Sequence, residues 1–179
     1  MTTTYLELIN RGARHYPHRT AIVFGDRKMT FAEVDALSSR LANALHALGA
    51  GHGTRVGLLI NNSLYSVPMD FACVKAGINR VPLNARLSVA EHARMLRETG
   101  CEMLVFGADL KERAEALREE LPGLVCHGLD ARIDGGWDLI AEAAGHSATA
   151  PRIRVSPDDV ILTLFTSGTT GTLKAAQHT

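Results

Sequence analysis

Apolar residues recur at helical spacing in several segments of the chain, and four of these segments begin in the same way. A serine, threonine or aspartate stands immediately before the segment, and a glutamate follows three positions later. This spacing is typical of a capping box, in which two side chains bind backbone N–H groups at the start of a helix. The pattern therefore predicts four helices, with the capping pairs Thr4 and Glu7, Thr30 and Glu33, Ser88 and Glu91, and Asp109 and Glu112.

Glycines and one proline indicate the limits of the longer helices. The strongest apolar repeat runs over 31–48 and stops at Gly49, and the helix with the third capping pair is expected to end near Gly100. A further helix is expected within 63–77. Pro68 lies in its first turns, which predicts either a helix start near this residue or a kink.

Short apolar runs between the helical segments indicate strands. Two runs near the start are joined at Gly25 and Asp26, which is a hairpin signal. The other runs suit buried strands of a parallel sheet. Alternating strands and helices of these lengths predict an α/β fold with three layers, in which helices flank a mostly parallel sheet. These other runs are 55–60, 80–83, 103–106, 124–126 and 160–165.

The chain is expected to form one domain over 1–179 with three parts. Strand–helix repeats fill 1–127, a connection spans 128–159, and a strand with the loop that follows it occupies 160–179. The connection is rich in glycine and alanine, and this composition predicts a segment that lies on the surface.

The connection contains the single tryptophan of the chain. We expect one short helix over 137–144, with Trp137 packing the connection onto the body of the domain. The sequence SPDD at 156–159 is typical of a helix start or a turn.

Composition and charge exclude several classes of function. The chain has 179 residues with 19 basic and 19 acidic side chains. Its net charge is therefore near zero, and no broad positive electrostatic field attracts nucleic acid or anionic lipid. The sequence contains no secretory signal and no apolar run of membrane-spanning length. Cys73, Cys101 and Cys126 lack the paired spacing of a metal site. We expect them to be reduced thiols in the core of a cytoplasmic protein.

The sequence TSGTTGTLK, which follows the last predicted strand, has the composition of an anion-binding turn. Gly168 and Gly171 allow the backbone to turn tightly and to approach a ligand. Successive backbone N–H groups in such a turn form an anion-binding concavity, and Lys174 adds a positive charge. This combination suits a triphosphate or a pyrophosphate. The hydroxyl donors are Thr166, Ser167, Thr169, Thr170 and Thr172.

Other motifs for phosphate binding or nucleophilic catalysis fail on spacing. A Walker A loop requires Lys directly after Gly and then Ser or Thr, but Lys174 comes three residues after Gly171 and Ala175 follows it. A nucleophile elbow would need glycine in place of Phe165. A solvated tail without a ligand is the remaining alternative, and the apolar strand directly upstream argues against it.

Three segments in the same order resemble the adenylate-forming enzyme superfamily. TSGTTGTLK resembles its signature phosphate loop, whose usual form is close to TSGTTGxPKG. MTFAEVDALSSRLANALHALG resembles its early hairpin and helix, and VKAGINRVPLNARLSVAEHARMLRETGCEMLV resembles the stretch that leads to the next strand–helix unit. The chain differs from the usual loop at Leu173, where proline is common, and at Ala175, where glycine is common. The resemblance implies that 1–179 is part of an N-terminal AMP-binding domain.

Within the superfamily, the resemblance is compatible with acid–CoA ligases, peptide-synthetase adenylation domains and luciferase-like oxidases. Asn84 in VPLN resembles the AMP-forming acid–CoA ligases, whereas peptide-synthetase adenylation domains more often have aspartate there. The resemblance implies that a carboxylic acid, fatty or aryl, reacts with ATP to form an acyl-adenylate, which CoA then converts to a thioester with release of AMP. It implies ATP, AMP, CoA and Mg²⁺ as cofactors. The implied phosphate-binding residues are Thr166, Ser167, Gly168, Thr169, Thr170, Gly171 and Lys174, with Thr166 as the contributor to the metal.

The resemblance also implies that most of the active site lies beyond Thr179, so that this chain contains no catalytic residue and is inactive alone. A severed sheet would expose an edge, which predicts self-association. The alternatives are a peptide-synthetase-type adenylation domain, or a self-contained α/β module that binds phosphate or nucleotide without catalysis. We interpret His46, His52 and His178 as surface or packing residues.

Overall fold

Strands and helices alternate along most of the chain. A computed structural model describes residues 4–154, 156–167 and 173–179. The helices are α1 (Tyr5–His15), α2 (Phe31–Ala47), α3 (Ser66–Lys75), α4 (Val89–Thr99), α5 (Lys111–Glu120) and α6 (Leu139–Ala143). The strands are β1 (Thr20–Phe24), β2 (Arg27–Thr30), β3 (Arg55–Leu59), β4 (Asn79–Pro82), β5 (Met103–Gly107), β6 (Val125–Leu129), β7 (Leu162–Ser167) and β8 (Leu173–His178).

Six of the strands form one sheet in the order β6-β5-β3-β4-β7-β8, and β1 and β2 form a separate antiparallel hairpin. The first five strands of the sheet are parallel, and β8 runs antiparallel to β7. Both the predicted hairpin and the predicted mostly parallel sheet are confirmed.

Apolar side chains cover both faces of the sheet, which gives the three predicted layers. On one face α2, α3 and α6 pack over Val105 and its neighbours. On the other face α4 and α5 pack over Leu104 and Phe106. Successive residues of a strand point to opposite faces, so the continuous apolar run of β5 supplies both cores.

Three of the four predicted capping boxes are present. In each, the hydroxyl of Thr4, Thr30 or Ser88 accepts a bond from the backbone N–H of the glutamate three residues later, and that glutamate accepts one in return. Gly100 ends α4 with φ of 64°, a left-handed conformation that favours glycine. Pro68 is the third residue of α3, so the predicted start near this proline is confirmed.

The fourth predicted cap is wrong. A short 3₁₀ turn at Ala108–Leu110 precedes α5. Leu110 is the residue immediately before α5, and its side chain caps no backbone N–H group. The Asp109 carboxylate instead accepts a hydrogen bond of 2.7 Å from Asn61, which follows β3. Gly107 leaves room for this carboxylate, since a Cβ atom at that position would lie 3.0 Å from Asp109 Oδ1.

The connection after β6 is more deeply packed than the sequence indicated. Strand β6 continues to Leu129, three residues beyond its predicted end at 126. The predicted short helix is present as α6, and its Leu139 and Ala143 are fully buried in the core beside α2. The predicted anchoring role of Trp137 is wrong, because its side chain is 46% exposed and lies under the Arg132 guanidinium.

A buried lysine joins α2 to α3. The Lys75 ammonium group donates to the Asp35 carboxylate at 2.5 Å and to the Ser39 hydroxyl at 2.9 Å. Burial lowers the pKa of Lys75, and the bond to Asp35 opposes this shift. Since an unpaired buried charge is costly, these bonds favour one relative position of the two helices.

The cysteines are core residues, as predicted. All three are free and buried, and burial raises the pKa of Cys73 and of Cys126 to about 12. Thiols with such pKa values are weak nucleophiles and weak metal ligands at neutral pH. Within the described residues, no helix has the length and apolar character needed to cross a bilayer.

Candidate functional site

The hydroxyl-rich loop, residues 166–174, connects β7 to β8. Strand β7 runs parallel to β4 and ends at Ser167, so it delivers the start of the loop to the carboxyl edge of the parallel sheet. Open α/β sheets commonly bind ligands at this edge. The predicted contacts Gly168, Thr169, Thr170 and Gly171 lie outside the described residues, as does Thr172.

The two ends of the loop face each other across the antiparallel pair. Thr166 is in register with Lys174, and the Thr166 hydroxyl donates a long bond of 3.5 Å to the Lys174 carbonyl. Both side chains are exposed. A hydroxyl and an ammonium group are therefore placed on paired strands with access to solvent. The sequence did not predict β8, because the run KAAQH has neither β-branched residues nor apolar alternation.

The turn after β4 is held by two side chains from the helices that follow. The His92 ring lies 2.8 Å through Nε2 from the Asn84 carbonyl, and this ring nitrogen is the donor because a carbonyl only accepts. Arg113 donates to the carbonyls of Ala85, at 2.7 Å, and Leu87. Burial lowers the pKa of His92, which keeps the ring neutral.

Asn84 has a local structural role in addition to its resemblance to one branch of the superfamily. Its side-chain oxygen accepts a bond of 3.0 Å from the Arg86 backbone N–H, which tightens the turn after β4. Strand β4 lies beside β7, so this turn and the hydroxyl-rich loop occupy neighbouring positions along the same edge. Sequence reasoning missed Arg113 because its bonds reach back 28 and 26 residues. It missed His92 because the bond to the Asn84 carbonyl, eight residues earlier, follows no helical or strand periodicity.

The histidines singled out from the sequence lie away from the loop. His46 contacts the Ala76 carbonyl at 3.1 Å, and His52 contacts the Asp159 carboxylate at 2.9 Å. These contacts confirm packing and surface roles for both residues. His178 is exposed and pairs with Leu162 at the other end of the β7–β8 hairpin, about 14 Å along the strand from Lys174.

The described residues contain no cluster of three or more histidine, cysteine, aspartate or glutamate side chains that could hold a metal ion. The hydroxyl groups at the loop are the hard oxygen donors that the sequence offers at this edge. Mg²⁺ commonly binds in this way, through few protein atoms and the phosphates of a substrate.

Comparison with known proteins identifies the family of this chain. The profile of the family described as AMP-binding enzyme matches residues 9–179. Long-chain-fatty-acid–CoA ligase FadD13 of Mycobacterium tuberculosis (strain ATCC 25618 / H37Rv) is 34% identical over 157 residues, which are 86% of this chain and 30% of that protein. The 3-hydroxybenzoate–CoA/4-hydroxybenzoate–CoA ligase of Thauera aromatica is 32% identical over 176 residues, which are 96% of this chain and 34% of that protein.

A solved structure gives the same result for the fold. The anthranilate CoA ligase AuaEII in complex with anthranoyl-AMP matches with a TM-score of 0.90 at 26% identity, over 99% of this chain and 35% of that one. The chain thus spans about a third of the length of the curated relatives described above. The profile match covers nearly the whole sequence and the folds agree, so this chain belongs to the AMP-binding enzyme family.

Proposed function

We propose that this chain supplies the ATP phosphate-binding part of an AMP-forming acid–CoA ligase. The observation that carries the proposal is the placement of the hydroxyl-rich loop at the carboxyl edge of a parallel sheet, between paired strands that present Thr166 and Lys174 to solvent. The relatives are named as CoA ligases of fatty and aromatic acids, which supports the same reaction class here.

The loop has the chemical groups that bind and neutralise a departing pyrophosphate. When a carboxylate attacks the α-phosphate of ATP, negative charge accumulates on the β- and γ-phosphates that leave. Lys174 would offset this charge, and the loop hydroxyls and backbone N–H groups would donate to the phosphate oxygens. Such donors stabilise the transition state most when they are already in place before the reaction.

Mg²⁺ and ATP fit the donor atoms of this site. The Thr166 hydroxyl is an exposed, hard oxygen donor at the end of β7, and Mg²⁺ prefers such ligands. We assign Thr166 as the protein contact of the ion and Ser167, Gly168, Thr169, Thr170, Gly171 and Lys174 as contacts of the phosphates. The bound ion would supply positive charge to the phosphate oxygens.

The acyl transfer to CoA would depend on parts of the protein beyond this chain. The chain spans about a third of its curated relatives, and we assign no residue within it to the acid or to the CoA thiol. The substrate is accordingly proposed only as a carboxylic acid of the fatty or aryl class.

The reaction is tested by ATP–pyrophosphate exchange, which reports formation of the acyl-adenylate. The full-length product of the gene, read past codon 179, is expected to exchange labelled pyrophosphate into ATP only when a suitable fatty or aryl acid is added. Residues 1–179 alone are expected to show no exchange above background, because the loop binds phosphates without the rest of the active site.

A panel of fatty, benzoic and amino acids distinguishes the alternatives in the same assay. Exchange with amino acids alone would favour a peptide-synthetase-type adenylation domain. Acid-dependent exchange by residues 1–179 would refute their inactivity, and a stop codon directly after codon 179 would favour a self-contained binding module.

A further inference from the structure

Strand β7 is joined to the rest of the parallel sheet by little backbone pairing. Strand β4 pairs with β7 at one register position, Arg80 with Leu162, whereas it pairs with β3 at four. Because the hydroxyl-rich loop follows β7 directly, the position of the loop depends on whatever aligns β7 with β4. Two buried side-chain connections lie at this junction.

Arg80 provides the first connection. Its backbone N–H and its side-chain Nε both donate to the Ile161 carbonyl, at 3.2 and 3.1 Å, directly before β7. Its Nη1 donates to the Asp70 carboxylate of α3 at 2.6 Å, and the Tyr5 ring of α1 lies over the guanidinium. The side chain is only 4% exposed, so water competes little for these bonds.

A hydrogen bond between Thr163 and Asn79 provides the second connection. The Thr163 hydroxyl of β7 donates to the Asn79 side-chain oxygen of β4 at 3.1 Å. Both residues are buried, at 2% and 3% exposure. A buried polar group that loses its partner is costly, so a shift of β7 by one residue would be disfavoured at both connections.

We infer that Arg80, Asn79 and Thr163 form a clamp that sets the register of β7 against β4 and thereby positions the hydroxyl-rich loop for phosphate binding. The consequence for phosphate binding rests on the proposed function, whereas the alignment of β7 does not. The three are positioning residues: Thr163 precedes Thr166 by three residues, and Arg80 and Asn79 act through β7. Phosphate affinity should therefore depend on buried residues of the sheet as well as on the loop.

The matched pair Thr163→Val and Thr163→Ser tests the clamp. Valine has the shape of threonine without the hydroxyl, whereas serine keeps the hydroxyl and loses only a methyl group. Arg80→Lys is a third variant, since it keeps a positive charge beside Asp70 and loses the guanidinium Nε that bonds to Ile161. Amide hydrogen exchange of residues 162–167 and the affinity for MgATP are measured for each variant of the 179-residue chain.

We expect Thr163→Val and Arg80→Lys to speed exchange in β7 and to weaken MgATP binding about tenfold, with exchange in β3 and β5 unchanged. Thr163→Ser should bind within about twofold of the original chain, since it keeps the hydroxyl that bonds to Asn79. Circular dichroism at the assay temperature ensures that only folded variants are compared.

The outcomes separate the clamp from the proposed function. Unchanged exchange in β7 in both Thr163→Val and Arg80→Lys overturns the clamp. Unchanged MgATP affinity in these variants, when the original chain binds, overturns its role in positioning the loop, as does a loss in Thr163→Ser equal to that in Thr163→Val. If the original chain does not bind MgATP, the proposed function fails and the exchange rates alone decide whether the clamp aligns β7.

Discussion

Gly128→Ala is expected to lower the free energy of unfolding by about 3 kcal/mol or more. A Cβ atom at this position in β6 would lie 2.1 Å from the Ala131 carbonyl oxygen and 2.6 Å from its carbon. Both are backbone atoms, so no side chain can rotate away and the segment after β6 must move. The Gly128 N–H also donates to the Trp137 carbonyl at 2.8 Å, and movement of the segment would break this bond.

Gly123→Ala is the matched control, because an added Cβ there meets no atom within 4 Å. Urea unfolding followed by circular dichroism measures both variants against the original chain. Gly123→Ala should unfold within about 0.5 kcal/mol of it, as expected for a surface substitution. Equal stability of the two variants would contradict the close backbone packing of this segment on β6.

Lys174→Met is expected to reduce acid-dependent ATP–pyrophosphate exchange by about 10²- to 10³-fold in the full-length product of the gene. Methionine keeps much of the length of lysine and removes the charge that we propose to offset the departing pyrophosphate. Lys174 is exposed and lies on the edge strand β8, so the substitution should leave the fold unchanged. The loss should therefore appear in the rate of exchange with no change in the unfolding midpoint.

Lys174→Arg is the control for charge. Arginine keeps the positive charge and differs in shape, so it should retain a substantial part of the rate that methionine loses. Equal rates for Lys174→Met and the original protein would contradict the assigned role of this lysine. Equally low rates for both substitutions would show that geometry at this position matters more than charge.

The fold could be predicted largely from local signals. Capping pairs such as Thr30 with Glu33 are encoded within four residues, and the apolar repeat behind Thr30 identified α2 correctly. The buried strands β3 and β5 stood out as short apolar runs, because both of their faces are covered. Such features need no knowledge of distant contacts.

The errors occur where a distant contact decides the structure. Asp109 had the right spacing to cap α5, but Asn61, 48 positions away, binds its carboxylate. Trp137 was predicted to pack the connection onto the body of the domain, yet Leu139 and Ala143 are the buried residues. Sequence spacing does not show which of several apolar neighbours faces the core.

For the candidate site, the sequence predicts the chemical groups, and the structure shows the two strands on which Thr166 and Lys174 lie. TSGTTGTLK indicated an anion-binding loop, but nothing local indicated that Thr166 and Lys174 pair across two strands. Arg80 and Thr163 gave no signal either, because their bonds join β4 to residues about 80 positions later. Aligning residues of this kind are visible only once the strand order is known.

The central claim is that the hydroxyl-rich loop binds the outer phosphates of ATP, and competitive titration tests it most directly. The 179-residue chain is titrated with MgATP in the presence of magnesium pyrophosphate or of adenosine, and the titration is repeated with Thr166→Val. We expect pyrophosphate to compete with MgATP, adenosine not to compete, and Thr166→Val to weaken both MgATP and pyrophosphate. Competition by adenosine without competition by pyrophosphate, or an affinity that Thr166→Val leaves unchanged, would contradict the claim.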